Sequence, residues 1–160
     1  MTTVGFSFTK ISAERKNVSE PNIRIENNVG ITNVEEANVI DPKKSLVRFE
    51  FLFKCKYEPN LGNVDLTGEL IEIYDKDLAS SIVDGWKNDK KISPEIMHNI
   101  MNNILNRANI EAIVISREVG LPSPISLPKV EVKPKEAKPS EIRKEEAKQE
   151  VKKEDKSKKK

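Results

Sequence analysis

The side chains that could do covalent or metal chemistry in this 160-residue chain are few and far apart. There is one histidine, His98, and one cysteine, Cys55, and their local patterns put them in different elements. A zinc site takes about four ligands at paired spacing, and no such set is present. The six glycines are scattered, so they form no phosphate-cradling loop. No nucleophile elbow accompanies a serine. These absences predict no enzyme, no metal and no cofactor. His98 shares its helix with Glu95 and Asn102 and reads as part of a solvated face. Cys55 falls on the inward face of a strand and reads as a core residue.

The chemistry left to the chain is non-covalent contact. "VGLPSPISLPKV", residues 119–130, sets three prolines among aliphatic residues. Proline fixes φ and removes an amide donor, so this strip is neither helix nor central strand. Extended geometry makes Leu121, Ile125 and Leu127 its anchors. Two roles fit: a tie-down that ends the domain, or the wall or lid of an apolar groove. In the second role Met97 and Met101 and the lone Trp86 complete the groove. Methionine repacks readily around different partners. Asn99, Asn102, Asn103, Asn106 and Asn109 form a polar stripe with Arg107. It reads either as a product of an Asn-rich composition or as an amide row that meets peptide backbone or base edges.

The elements that must carry these residues follow from periodicity. "LVRFEFLFKCKYE" puts Val47, Phe49, Phe51, Phe53, Cys55 and Tyr57 on one face, which predicts a long half-buried strand. "PNLGN" turns the chain, and "VDLTGELIEIYD" resumes with Val64, Leu66 and Leu70 before shifting phase to Ile71 and Ile73 after Gly68. A bulge at Gly68 is expected there. "GFSFTKISAERK" carries Phe6 and Phe8, then switches phase to Ile11 and Ala13. "NIRIENNVGI" keeps Ile23, Ile25, Val29 and Ile31 in register, with Asn27 the exception. "NVEEANVIDPKK" reads as a connection. The expectation is a four-stranded antiparallel sheet.

Two helices follow. "DKDLASSIVDGWKN" places Leu78, Ile82 and Trp86 on one ridge with Ala79 and Val83 beside it, and Gly85 weakens it. In residues 94–119, Ser93 is the N-cap, Pro94 opens the first turn, Gly120 stands past the end and Pro122 stops continuation. That helix would be on the order of 39 Å long. Its apolar surface spans more than one face: Met97, Met101, Ile104, Leu105, Ala108, Ala112, Ile115 and Val119, broadened by Ile96, Ile100, Ile110, Ile113 and Val114. One sheet covers one side only. Either another subunit or a ligand covers the rest, or the short helix and the proline strip do.

Residues 131–160 are read as a separate disordered tail after a 1–130 domain. From 129 to 160 there are 13 Lys/Arg and 8 Asp/Glu with few aliphatics, too little apolar surface to offset ordering entropy. The overall charge of +2 thus combines a slightly acidic domain with a basic tail. The tail can meet RNA or a ribosome weakly by charge alone, or serve only solubility. No aromatic is interleaved with it, so no base-stacking platform is indicated. A single cysteine, the absence of a signal-like start and the absence of any long apolar run predict a cytoplasmic chain that does not insert in a membrane.

An antiparallel four-strand order, then a long helix, then an extended proline segment resembles the SecB family of export chaperones. "FTKISAERKNVSEPN" is similar to that family's first strand and proline turn, and "GLPSPISLPKV" to its post-helix segment. "VRFEFLFKCKY" and "VDLTGELIEI" have the spacing of its central hairpin. The resemblance covers most of residues 6–130. It implies a SecB-like α+β fold and a homo-oligomer, dimer or tetramer, that holds unfolded polypeptides in apolar grooves without nucleotide. In that family a second helix follows the post-helix segment, whereas here only the charged tail does. The domain is also only slightly acidic. These departures bear on export and a motor partner more than on holding unfolded chains. The competing expectations are a nucleic-acid- or ribosome-associated protein and a non-catalytic oligomeric scaffold.

Overall fold

A computed structural model describes residues 2–16, 22–37 and 41–126. The chain divides into two units, Met1–Leu127 and Pro128–Lys160. The second unit, with the expected disordered tail, lies outside the described residues.

Four strands, β1 (Thr2–Arg15), β2 (Arg24–Ala37), β3 (Lys44–Glu58) and β4 (Gly62–Asp75), precede helices α1 (Lys76–Asp89) and α2 (Pro94–Glu118). The α+β order is the one the periodicity predicts. All neighbouring strands are antiparallel in the order β1-β4-β3-β2, so β1 and β2 are edges among the described residues. Both helices lie on one face. The alternation of β3 selects that face: Val47, Phe49, Phe51, Phe53, Cys55 and Tyr57 are all buried. Each large apolar side chain so buried contributes about 1.5–3 kcal/mol.

The structure corrects two sequence expectations. The β3–β4 register runs unbroken from Lys44↔Asp75 to Tyr57↔Gly62, so there is no bulge at Gly68. Ile71 and Ile73 therefore stand on the open face, and Glu72 takes the buried position, 0% exposed. Gly68 serves close approach instead. A Cβ there would lie 2.4 Å from the Ser7 carbonyl oxygen and 2.6 Å from Phe51 Cζ. Besides a register shift between Thr3 and Gly5, the edge strands carry two bulges, between Phe8 and Lys10 and between Ile31 and Asn33. The first turns Ile11 and Ala13 to the same face as Phe6 and Phe8. The second lets β2 continue through residues 33–37, which the sequence read as a connection. Val34, one register step past that bulge, is 2% exposed.

α1 continues through Gly85 to Asp89. The glycine admits the following chain: Lys91 N–H donates to the Gly85 carbonyl at 3.2 Å, and a Cβ at 85 would meet the Lys91 oxygen at 2.7 Å. Ala79, Ile82, Val83 and Trp86 are buried, whereas Leu78, expected on the same ridge, is 43% exposed. α2 begins at Pro94, where the fixed φ and missing donor cost nothing. It ends in a Schellman motif. Gly120 (φ 72°) donates to Arg117 O at 3.0 Å, and Leu121 N–H donates to Ser116 O at 2.8 Å. The buried edge of α2 is Ile100, Ile104, Ala108, Ala112 and Ser116, one residue every four. Small side chains over the last three steps bring the helix close to the sheet. Ile110 and Val114 stay exposed, so the described residues do not cover the whole apolar width of α2.

Candidate functional site

The residues expected to line one groove are distributed over the molecule. Trp86 lies in a core cluster with Val47, Phe49 and Ile104. Its indole N–H is buried with no acceptor among the described residues, and Lys90 Nζ stands 4.9 Å from the ring centroid. Leu121 belongs to a second cluster with Phe53, Tyr57 and Ala112. Met97 and Met101 are half-buried along α2, and Ile125 is half-buried in the chain after it. Leu127 lies outside the described residues. The structure thus separates Trp86 from Leu121.

The proline strip, as far as Ser126, is fastened to the sheet. Tyr57 Oη donates to the Pro122 carbonyl at 2.8 Å and lies 2.8 Å from Ser116 Oγ. A phenol has one proton, so with that proton on Pro122 it is the Ser116 hydroxyl that donates to Tyr57. Asn27 Nδ2 donates to the Pro124 carbonyl at 2.9 Å, and Ser123 Oγ to the Ile125 carbonyl at 2.7 Å. Leu121 is 6% exposed. Pro122 and Pro124 bring no amide donors that would need acceptors. Burial, more than any neighbour, pushes the Tyr57 phenol and the Cys55 thiol up from their ordinary values. Sequence reasoning missed Tyr57, Ser116 and Asn27 as the fasteners. The available signal was Asn27, a polar residue opposite Cys55 among the aliphatic inward positions Ile25, Val29 and Ile31 of β2.

A second polar cluster links β1, β4 and α2. The Glu72 carboxyl accepts from Thr3 Oγ at 3.1 Å, Asn103 Nδ2 at 3.0 Å and Tyr74 Oη at 2.5 Å. Burial first, and then the bond to Glu72, raises the Tyr74 phenol far above its usual range. Asn103 is thereby distinct from the other asparagines of α2. His98 stays on the exposed side, 3.3 Å from Asn102 Nδ2. Among the described residues, no three His, Cys, Asp or Glu side chains are placed to share a metal ion. No helix among them is long and apolar enough to cross a membrane.

An open, partly apolar concavity lies at the other end of α2. Leu78, Ser81, Ile82 and Gly85 of α1, the connecting Lys91, Ile92 and Ser93, and Ile96 of α2 enclose a cleft of about 330 Å³. A smaller cleft of about 150 Å³ shares Leu78 and Ile96 and extends to Thr2, Lys44, Ile73, Tyr74 and Asp75. Sharing Leu78 and Ile96, they form a furrow whose aliphatic wall of Leu78, Ile82, Ile92, Ile96 and Ile73 is bordered by the polar Ser81, Lys91, Ser93, Thr2, Lys44 and Asp75. Leu78, the ridge residue left out of the core, is its rim.

No protein-family model matches this chain. No curated protein matches it. Among solved structures it is similar to a SecB-like chaperone of Mycobacterium tuberculosis in complex with a ChAD peptide from an antitoxin. The match covers 82% of this chain and 91% of that one, at 10% sequence identity and a TM-score of 0.45.

Proposed function

We propose that this chain is a non-catalytic, nucleotide-independent holder of unfolded polypeptides, and that the furrow between α1 and α2 receives their apolar side chains. The carrying observation is Leu78. It is 43% exposed at the rim of a cleft whose other walls include Ile82, Ile92 and Ile96. The aliphatic wall of the cleft selects for apolarity rather than for a particular sequence, and the Ser81, Lys91 and Ser93 that border it are available to a polar backbone. Homo-oligomerisation belongs to the same reading, because Ile110 and Val114 on α2 are exposed and a second subunit would cover them. A cytoplasmic setting, where Cys55 stays a thiol, is consistent with it. Export and contact of the basic tail with RNA are further expectations of the sequence.

The test is light scattering of reduced, aggregating α-lactalbumin without ATP. The full chain should suppress aggregation, and Leu78→Asp should lose most of that suppression while keeping its circular dichroism spectrum. Absence of suppression by the wild-type chain would sink the reading.

A further inference from the structure

The segment of residues 119–126 is held by main-chain hydrogen bonds together with the burial of Leu121 and Pro124. Two of its carbonyls, at Pro122 and Pro124, accept bonds from Tyr57 on β3 and Asn27 on β2, adjacent strands of the sheet. A donor that meets a main-chain carbonyl reads the path of a chain and not its sequence. Pro122 and Pro124 carry no amide, so Ser123 alone has an N–H between the two bonded carbonyls, and the seat offers two fixed donors and an apolar hollow. Leu121 fills that hollow beside Phe53, Leu66 and Ala112. Ala108 and Ala112 of α2 belong to the same cluster.

We propose that residues 119–126 are an intramolecular occupant of a seat for extended, aliphatic, proline-containing chain. When the strap lifts, the same donors, Tyr57 and Asn27, hold a comparable segment of another polypeptide. The seat lies in the second core cluster, whereas Ile82, on the wall of the furrow, lies in the first. The inference extends the holding of unfolded chains to a second, self-closed surface. A seat filled from within shows an apparent affinity reduced by the fraction of time it stands open.

The experiment uses the full chain, a Leu121→Ser/Pro124→Gly variant and a milder Pro124→Gly variant. The second variant serves if the first does not fold. The probe is a fluorescein-labelled VGLPSPIS peptide, read by anisotropy. Weakening the strap should tighten peptide binding about tenfold or more over wild type. Adding Asn27→Leu to either variant should cancel that gain. A folded variant that binds the peptide no better than wild type overturns the proposal, as does a gain that survives Asn27→Leu. The α-lactalbumin assay separates the two readings. Strap-dependent peptide binding without aggregation suppression keeps the seat and removes the holding function. Suppression that depends on Leu78 without any strap effect does the reverse.

Discussion

Asn103 Nδ2 donates to Glu72 Oε1 at 3.0 Å, joining the first half of α2 to the interior of β4. The carboxyl is 0% exposed, and its other partners are Thr3 and Tyr74. A buried polar group is costly when a partner is lost, because its desolvation is no longer compensated.

Asn103→Ala should therefore lower stability by about 1–3 kcal/mol in urea denaturation. Asn106→Ala, on the exposed side of the same helix, should stay within about 0.5 kcal/mol of wild type. Equal losses at the two positions would mean that the Glu72 bond contributes nothing specific.

Both tyrosines of the chain, Tyr57 and Tyr74, have phenols raised above their ordinary values, chiefly by burial. The folded state thus holds the phenolic proton more tightly than the unfolded state. The resulting stability is fully present below the unfolded tyrosine value of about 10 and is lost as pH rises above it. Absorbance at 295 nm should show no phenolate appearing through that range until the far-ultraviolet signal of the fold is lost with it. A separate, earlier phenolate titration would contradict the burial of these groups.

Gly85→Ala sets helix propensity against packing. Alanine gains about 1 kcal/mol in an exposed helix interior. At this position its Cβ would stand 2.7 Å from the Lys91 backbone oxygen. The clash should win, and the denaturation midpoint should fall. A rise would show that the α1–α2 connection yields at little cost.

Tyr57→Phe keeps the ring and removes the hydroxyl that serves both Ser116 and Pro122. A loss of about 1–3 kcal/mol is expected. Amide exchange at Leu121, whose N–H is bonded to Ser116 O, should rise with it. Unchanged exchange would mean that Leu121 burial alone holds the strap.

The elements were legible in the sequence because their signals are local. The alternation of β3 needs only that successive side chains face opposite ways, and it named every buried residue from Val47 to Tyr57. Ser93-Pro94 and Gly120 located the ends of α2 to within one residue, because the fixed φ of Pro94 suits a first turn and Gly120 takes a positive φ, although the Ser93 side chain makes no cap bond. The phase change in β1 was visible too, and it proved to be a bulge. β2 was cut short because an equivalent bulge past Ile31 hid Val34. In β4 the aliphatic pair Ile71 and Ile73 outweighed Glu72, although Glu72 is the residue that is buried.

The sequence by itself determined the α+β order, the central hairpin, the span of the long helix and the apolar width of its surface. Each is set by a pattern within a few residues. Only the tertiary structure decided that Glu72 is inside, that Asn103 differs from its neighbours, that Trp86 and Leu121 lie in separate clusters, and that Tyr57 and Asn27 fasten the strap. Those outcomes depend on partners 31 to 97 residues away, which supply the hydrogen bonds that make polar burial tolerable. No local period carries that information. It arises when strand registers and helix placement bring a donor and an acceptor to the same point.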